Sequence, residues 1–327
     1  MQRRPFLKNA VILGTSMVLG SRVKAWSTGP SLEGKRVGII GLDTSHSLEF
    51  ARVLNAPGAD PVFKGYRVTA AYPYGSRRIA SSLNRIPGYI EKVKGFGVAI
   101  ASSLEELLEQ VDCVLLETND GHLHPEQALK VFQTGKRVFI DKPLGSNLKE
   151  VESIYKAAAD NGVSFFTSSS LRYTSSIAQV GDAGKILGAA CHSPCTTEPS
   201  HEDLYWYGIH GVEILLAVMG AGCKTVQATH TADADLAVGV WEDGRIGTFR
   251  GSRTGVNSYG GTVYGEKKNI VLGDYEGYEG LLKAITGYFE SGQVPVPVQE
   301  TKEIYAFMSA FQKSRQRHGK PVLLERF

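Results

Sequence analysis

Six polar side chains that can move protons or bind a metal stand where predicted strands end or predicted helices begin. They are Asp43, His46, Asp120, His122, Lys142 and His210. Histidine exchanges protons near neutral pH, and a partly desolvated lysine can also take part in proton transfer. Brought together by the fold, these residues would line a polar cleft suited to lyase, hydrolase or isomerase chemistry.

Some of these residues have the chemistry of a divalent-metal site. Carboxylate oxygens and imidazole nitrogens are ordinary ligands of such ions. Asp43 and His46, together with His122 or His124, are the candidate ligands. The hypothesis is an alternative to a cleft without a metal, and the sequence leaves both open.

The loop after the first predicted strand occupies the place of a phosphate-binding loop. It reads Gly41-Leu42-Asp43-Thr44-Ser45-His46, so that only the first glycine of a Gly-x-Gly-x-x-Gly pattern is present. A carboxylate at the second glycine position repels a diphosphate unless it is protonated, turned away or bridged by a cation. The loop therefore puts dinucleotide binding in question.

The elements that must position these side chains alternate along the first half of the chain. Apolar strands are predicted at 36–41, 67–72, 111–117, 137–141 and 163–168, with helices at 47–54, 104–109, 124–134 and 148–161. Continuous apolar strands that alternate with helices are typical of a parallel sheet covered on both faces. Residues 32–170 therefore form, in our prediction, a Rossmann-like doubly wound domain that binds ligands beyond the carboxyl ends of its strands.

The second half has a different pattern. Closely spaced strands are predicted at 224–229, 236–241, 245–250, 260–264 and 270–272, and helices at 210–219, 278–291 and 302–317. This spacing favours an α+β domain over residues 171–327, with a large open, mainly antiparallel sheet flanked by the three helices. An open sheet face predicts a homodimer or homotetramer through that face.

The first 25 residues have the features of an export signal. Arg3-Arg4-Pro5-Phe6-Leu7-Lys8 matches a twin-arginine signature, and the apolar run at 10–20 is too short to span a bilayer stably. We therefore expect residues 1–25 to be a twin-arginine signal peptide. A periplasmic location follows, with no stable membrane insertion after the signal is removed.

The charge distribution bears on the partners of the protein. The 327 residues carry a formal charge of +3, and residues 1–25 contribute five basic residues and no acid, which leaves about −2 for the rest. A nearly neutral body without a basic stripe argues against a nucleic-acid partner.

Four segments together resemble the glucose–fructose oxidoreductase / inositol dehydrogenase / MocA family. They are Val111-Asp112-x-Val114, His122-Leu123-His124-Pro125-Glu126-x-Ala128-Leu129, the run from Gly135 to Leu144 that contains Asp141-Lys142-Pro143, and the run from Tyr207 to Glu213. The resemblance covers essentially the whole chain after the signal. It implies a Rossmann fold and an NAD(P)-linked oxidoreductase that acts on a sugar or cyclitol hydroxyl or ketone by hydride transfer.

The resemblance also implies roles for individual residues. Lys142 and His210 would flank the reacting hydroxyl, and Trp206 replaces the acid expected four residues before the histidine. The candidate substitutes for that acid are Glu213, and Tyr205 or Tyr207 as a neutral donor. Trp206 belongs to an aromatic run suited either to stacking on a sugar or to packing its helix.

The implied cofactor is NADP or NAD, retained by the protein because a periplasm offers no free dinucleotide pool. Its candidate binding residues are Gly41, Leu42, Thr44, Ser45, His46, Ser76, Arg77, Thr118, Asn119, His122, Asp141 and Lys142. Ser76 and Arg77 follow the second strand, where they would favour the 2′-phosphate of NADP or else form a solvent-facing basic loop. A dinucleotide-independent enzyme and a non-catalytic sugar-binding protein stay open as alternatives.

Overall fold

The computed structural model describes residues 34–327. The predicted signal peptide and the first two residues of the predicted Rossmann-like domain lie outside this range, so both remain predictions.

The first sheet is built from six parallel strands that end at a common edge. In chain order they are β1 (Arg36–Ile40), β2 (Arg67–Tyr72), β3 (Ala99–Ile100), β4 (Cys113–Leu116), β5 (Arg137–Ile140) and β6 (Phe165–Phe166). Their spatial order is β3-β2-β1-β4-β5-β6, which is the doubly wound arrangement. The central strands carry Val, Ile and Leu on both faces because helices cover both sides. The predicted Rossmann-like fold is confirmed.

Five helices follow these strands. They are α1 (Ser45–Leu54), α2 (Ala80–Gly95), α3 (Leu104–Gln110), α4 (His124–Gln133) and α5 (Leu148–Asp160). All except α2 were predicted. Helix α2 carries Pro87 in its interior and buries only Ser82 and Val93, so its sequence lacks the apolar stripe that identifies a packed helix.

The second sheet has seven strands and is mixed. They are β7 (Ile186–Pro194), β8 (Cys223–His230), β9 (Ala234–Trp241), β10 (Ile246–Ser252), β11 (Gly260–Gly265), β12 (Ile270–Leu272) and β13 (Val322–Leu323). The order is β12-β11-β7-β10-β9-β8-β13, and β10 pairs with β7 in parallel whereas the other pairs are antiparallel. The sequence did not predict β7, although it lies at the centre of the sheet.

The remaining helices divide between the two sheets. They are α6 (Ser175–Ala178), α7 (Asp203–Trp206), α8 (Ile209–Met219), α9 (Glu279–Ser291) and α10 (Val298–Gln316). Helices α8 and α10 pack on the second sheet, in the core that contains Phe249 and Trp241.

The placement predicted for the helix at 278–291 was wrong. Helix α9 buries Leu282 and Phe289 in a core with Phe139 and Phe166 of the first sheet. It therefore covers the first sheet although the second half of the chain supplies it. The apolar face of a helix does not show from sequence alone which sheet it will contact.

Among residues 34–327, no helix combines the length and the apolar character needed to cross a membrane.

Candidate active site

A cavity of about 460 Å³ lies where the carboxyl ends of the first sheet face the second domain. Its wall contains His46 from the start of α1, Lys142 from the end of β5, and Tyr207 and His210 from the second domain. The fold thus brings together His46, Lys142 and His210, which are far apart in the sequence. They are three of the six polar residues that the sequence suggested for a cleft.

Lys142 is held at the cavity wall by the sheet itself. The amide of the preceding Asp141 donates to the carbonyl of Leu116 on β4, at 2.8 Å, so the chain remains in register as it leaves β5. Two residues later, the amide of Leu144 donates to the hydroxyl of Tyr305 at 2.8 Å. Lys142 is 8% exposed. Its backbone is fixed on both sides, and its side chain faces the cavity.

His210 lies in the first turn of α8 and is almost completely buried. Its Nδ1 is 2.8 Å from Oγ of Ser169, and its ring packs edge-on against Tyr207 and Tyr259. Burial, reinforced by the positive charge of Lys142, lowers the pKa of His210 well below its usual value. The imidazole is therefore neutral near pH 7, and the contact between Ser169 and Nδ1 fixes the orientation of the ring.

Glu213 makes contacts other than those expected of a substitute acid. Its Oε1 accepts from Oγ of Ser168 at 2.6 Å and from Nε of Arg172 at 2.9 Å, and its Oε2 accepts from the amide of Ser169 at 2.9 Å. Glu213 therefore acts on His210 through Ser169. Sequence reasoning missed Ser169, and the only signal for it was the run of three serines after β6.

Aromatic residues form the second-domain side of the cavity. Trp206, Tyr207 and Tyr259 all line it, and the hydroxyl of Tyr259 donates to that of Tyr207 at 3.2 Å. Rings flanked by hydroxyls suit the apolar faces and the polar rim of a sugar. Tyr207 thus lies where the sequence placed it, beside His210.

Asp43 is turned away from the cavity. Its Oδ1 accepts from the amide of Asn119 and its Oδ2 from the amide of Ser76, each at 3.0 Å, and the residue is fully buried. Burial raises the pKa of Asp43, while the two amide hydrogen bonds act in the opposite direction. The carboxylate of Asp43 therefore points away from the cavity, toward the backbone of Asn119 and Ser76, where it would not repel a bound diphosphate.

The start of α1 fits an anionic phosphate group. Thr44 caps the helix by accepting from the amide of Ser47, and the first turn contains no acid. Gly41 has a φ of +90°, and a Cβ there would lie 2.6 Å from the amide nitrogen of Thr118, so glycine is required. Arg85 of α2 lines the same cavity. A helix N-terminus beside an arginine is the donor set that a pyrophosphate requires.

Several other candidate cofactor residues are engaged within the protein. Leu42 is buried in the core that contains Phe139 and Phe166. Oγ1 of Thr118 donates to Gln127 at 2.9 Å. Oγ of Ser76 donates to Asp120 at 2.8 Å and accepts two backbone amides. The guanidinium of Arg77 lies over the ring of Tyr74. Of the remaining candidates, Ser45 and Asn119 line the cavity.

The structure does not bring Asp43, His46 and His122 together as a metal site. His122 lies 2.7 Å from Glu150 through Nδ1 and 2.6 Å from the carbonyl of Ser200 through Nε2, outside the cavity wall. His124 is bound between the carbonyls of Thr118 and Leu144. The acidic neighbours of His46 are instead Glu117 and Asp141.

Comparisons with known proteins agree with this architecture. Residues 8–169 match the family model described as an oxidoreductase family with an NAD-binding Rossmann fold. An uncharacterized oxidoreductase of Streptococcus pneumoniae serotype 4 (strain ATCC BAA-334 / TIGR4) is 32% identical over 155 residues. That match covers 41% of this chain and 41% of the relative, so it spans less than half of the relative's length.

Two solved structures share the fold over most of the chain. A putative myo-inositol dehydrogenase from Sinorhizobium meliloti 1021 has a TM-score of 0.72 and 13% identity, and the match covers 89% of this chain and 100% of that one. The WlbA dehydrogenase from Bordetella pertussis, solved with NADH and UDP-GlcNAcA, has a TM-score of 0.69 and 18% identity. That match covers 90% of this chain and 99% of the other. The chain therefore belongs to the glucose–fructose oxidoreductase / inositol dehydrogenase / MocA family, an oxidoreductase family with an NAD-binding Rossmann fold.

Proposed function

We propose that the protein oxidises or reduces a sugar or cyclitol carbon by hydride exchange with a bound nicotinamide dinucleotide. One observation carries the proposal: Lys142 from the first domain and His210 from the second face the same cavity, which also contains the N-terminus of α1. A phosphate-binding helix end and a proton-transfer pair in one cleft are what an alcohol dehydrogenase reaction needs.

The chain's own residues have distinct tasks in this reaction. The bound dinucleotide supplies the hydride acceptor for the substrate carbon. In the oxidation direction, neutral His210 takes the hydroxyl proton on Nε2, while the ammonium of Lys142 donates a hydrogen bond to the same oxygen. In this assignment Nδ1 carries the ring proton and donates a hydrogen bond to Oγ of Ser169, and Nε2 serves as the base. The reverse direction returns the proton to the new alkoxide oxygen.

The aromatic wall supports a ring-shaped polyol as substrate. Trp206, Tyr207 and Tyr259 offer ring faces and hydroxyls together. The structural neighbours are named as a dehydrogenase of myo-inositol and as a dehydrogenase crystallised with a nucleotide sugar acid. Both ligand classes present several adjacent hydroxyls, which is consistent with such a wall.

We propose NAD as the cofactor in preference to NADP. The 2′-phosphate of NADP needs free donors after β2, but Ser76 is engaged with Asp120, Arg77 packs over Tyr74, and Arg78 lies 3.5 Å from Asp120. Fluorescence titration of the reduced nucleotides should give tighter binding of NADH than of NADPH. The reverse order would reject this assignment.

The test of the main proposal combines binding and turnover. The purified chain is titrated with NADH and then assayed with inositols and sugars. Lys142→Ala and His210→Gln should lower kcat by about 10²–10⁴-fold while they retain NADH binding, because they act on the proton rather than on the dinucleotide. Lys130→Ala changes an exposed lysine that pairs with Glu105 and serves as the control. A wild-type chain that binds neither dinucleotide would refute the proposal.

Export and cofactor retention form a separate proposal. We propose that the twin-arginine segment carries the folded protein to the periplasm with its dinucleotide bound, where a second substrate recycles it. Replacement of both Arg3 and Arg4 by lysine should leave the protein in the cytoplasmic fraction. Equal amounts of wild type and variant in the periplasmic fraction would refute it.

We also propose a homo-oligomer through the open face of the second sheet. Val240, Ile246 and Tyr264 are exposed and lie in one cross-strand row, with Gly188 between the last two. Val271 is exposed in the next row. A contiguous apolar face of this kind is typical of a subunit interface.

A further inference from the structure

Two carboxylates lie beneath the cavity without hydrogen-bond partners. Glu117 and Asp141 are each 0% exposed, and none of their four side-chain oxygens receives a hydrogen bond from any residue in the range 34–327. A buried ionised carboxylate is costly unless it is paired or coordinates a metal. Two such groups side by side require a compensating charge.

The sheet fixes the positions of both carboxylates. Glu117 follows β4 and Asp141 follows β5, and these strands are neighbours. The amide of Glu117 donates to the carbonyl of Ile40 at 2.7 Å, and the amide of Asp141 donates to that of Leu116 at 2.8 Å. The two side chains therefore start from a rigid edge and cannot move far apart without breaking the sheet.

His46 completes the group from the opposite side. Its Nδ1 is 2.8 Å from Oδ2 of Asp141 and 4.0 Å from Oε2 of Glu117, but it is not aligned as a hydrogen bond to either. The rings of Phe50 and Tyr278 pack against the imidazole and hold it in place. One nitrogen and two carboxylate oxygens thus lie within 4.8 Å of one another.

We propose that His46, Glu117 and Asp141 bind a divalent transition-metal ion such as Zn²⁺ or Mn²⁺. One imidazole and two carboxylates are suitable first ligands for such ions, and three protein ligands leave a coordination position open. His46 lines the cavity together with Lys142 and His210, so an ion bound by its imidazole would lie next to this cavity. This site lies beyond the proposed dehydrogenase reaction and does not depend on a dinucleotide.

The electrostatics of the group support a cation. Glu117 and Asp141 are both fully buried and lie close together, so solvent does not screen their two negative charges from each other. The positive charge of Lys142 acts on both carboxylates, but its side chain donates a hydrogen bond to neither, so one cation faces two buried carboxylates. A divalent ion would neutralise both carboxylates at once.

A second group of potential ligands offers a useful contrast. Asp120, His122 and His201 also lie close together. Their polar atoms, however, have protein partners: Asp120 accepts from Ser76, His122 contacts Glu150, and His201 accepts from the amide of Gly121. The polar atoms of this second group therefore have hydrogen-bond partners within the protein and do not need an ion. A substitution in this group serves as the control.

The experiment measures metal binding to the full chain with no dinucleotide present. Chelator-treated protein is titrated with ZnCl₂ and MnCl₂ by calorimetry, and bound metal is counted by elemental analysis after dialysis. A single ion per chain is expected. Glu117→Gln and Asp141→Asn should each weaken binding at least about 10-fold, since each removes a charged ligand. His201→Gln should bind the ion as wild type does.

A spectroscopic arm keeps the test decisive if the isosteric variants fold poorly. Zinc X-ray absorption of the wild-type protein should show one imidazole among oxygen ligands. Two imidazoles would assign the ion to the group that contains His122 and His201 and would overturn the proposal. Failure of the wild-type protein to bind either ion would also overturn it.

Discussion

Ser169 connects the buried ion pair of Glu213 and Arg172 to His210, because its backbone amide donates to Glu213 and its hydroxyl contacts Nδ1 of the imidazole. At the residue scale, this is how the protein orients its histidine although Trp206 replaces the expected acid. A hydroxyl orients the ring without adding a charge, so it leaves the imidazole neutral. The contact is 2.8 Å long and lies among buried atoms.

Ser169→Ala should lower kcat by about 10-fold or more and leave the KM for substrate and NADH binding nearly unchanged. The imidazole would lose the contact that orients it for proton transfer, while the cavity wall stays in place. Steady-state kinetics would show the split between kcat and KM. Ser170→Ala, at the neighbouring cavity-lining serine, is the control, and an equal loss of kcat in both variants would contradict the role given to Ser169.

His201 makes folding stability depend on pH. Burial lowers its pKa from 6.5 to about 4, against the opposing charge of Asp120. Between these two values the unfolded chain binds more protons than the folded one, so stability falls as pH falls through this window and is unaffected above it. The full effect is at most about 3 kcal/mol.

Urea unfolding at about pH 7 and about pH 5 would measure this effect. His201→Gln should lose less stability between the two pH values than the wild-type protein does. His192→Gln, on the second sheet, should lose as much as wild type. If His201→Gln and wild type lose the same amount, His201 does not make the predicted contribution.

At the scale of elements, helix α8 approaches the second sheet closely because Gly211 has no side chain. A Cβ at Gly211 would lie 2.3 Å from a ring carbon of Phe249 and 2.8 Å from Oγ of Ser193. Helix α9 also contains a glycine, Gly287, but a Cβ there would meet nothing within 4 Å. Substitution of Gly211 therefore tests the close packing of α8, whereas substitution of Gly287 tests helix propensity alone.

Gly211→Ala should lower the free energy of unfolding by about 1–3 kcal/mol, because the added methyl group forces Phe249 aside. Gly287→Ala should raise it by about 0.5–1 kcal/mol, since alanine is the better helix former. Chemical denaturation of both variants would test the pair. Equal shifts of the same sign would show that α8 does not pack as described.

Sequence periodicity was sufficient for most of these elements and failed at identifiable places. Helix α2 was missed because Pro87 and a nearly continuous exposed surface hide its pattern. Helix α9 was predicted with correct type, but its contact with Phe139 on the first sheet depends on how the chain returns after the second sheet. Periodicity reports which face of an element is apolar and does not report which partner covers it.

At the scale of the whole molecule, the open face of the second sheet is the surface through which we propose that chains associate. Ile246 is 54% exposed at the start of the central strand β10, between Val240 and Gly188 in the cross-strand row. Helices α8 and α10 cover the opposite face, so the exposed one is available to another copy.

Ile246→Arg should convert the wild-type oligomer to monomers, because an arginine at the centre of an apolar interface is buried without a partner. Sedimentation velocity would show the change in mass. Val256→Arg changes a residue that is 85% exposed outside the strands and should leave the oligomer intact. A monomeric wild-type protein would contradict the proposed interface.

The sequence by itself determined the alternation of strands and helices and the doubly wound first domain, and it indicated Lys142 and His210 as candidate catalytic residues. These features depend on local periodicity and on motifs within short segments. Only the tertiary structure decided that Asp43 turns away from the phosphate-binding loop, that Ser169 contacts His210, and that Glu117 and Asp141 face His46. The direction of a side chain and its neighbours depend on contacts between distant segments, and spacing along the chain does not encode them.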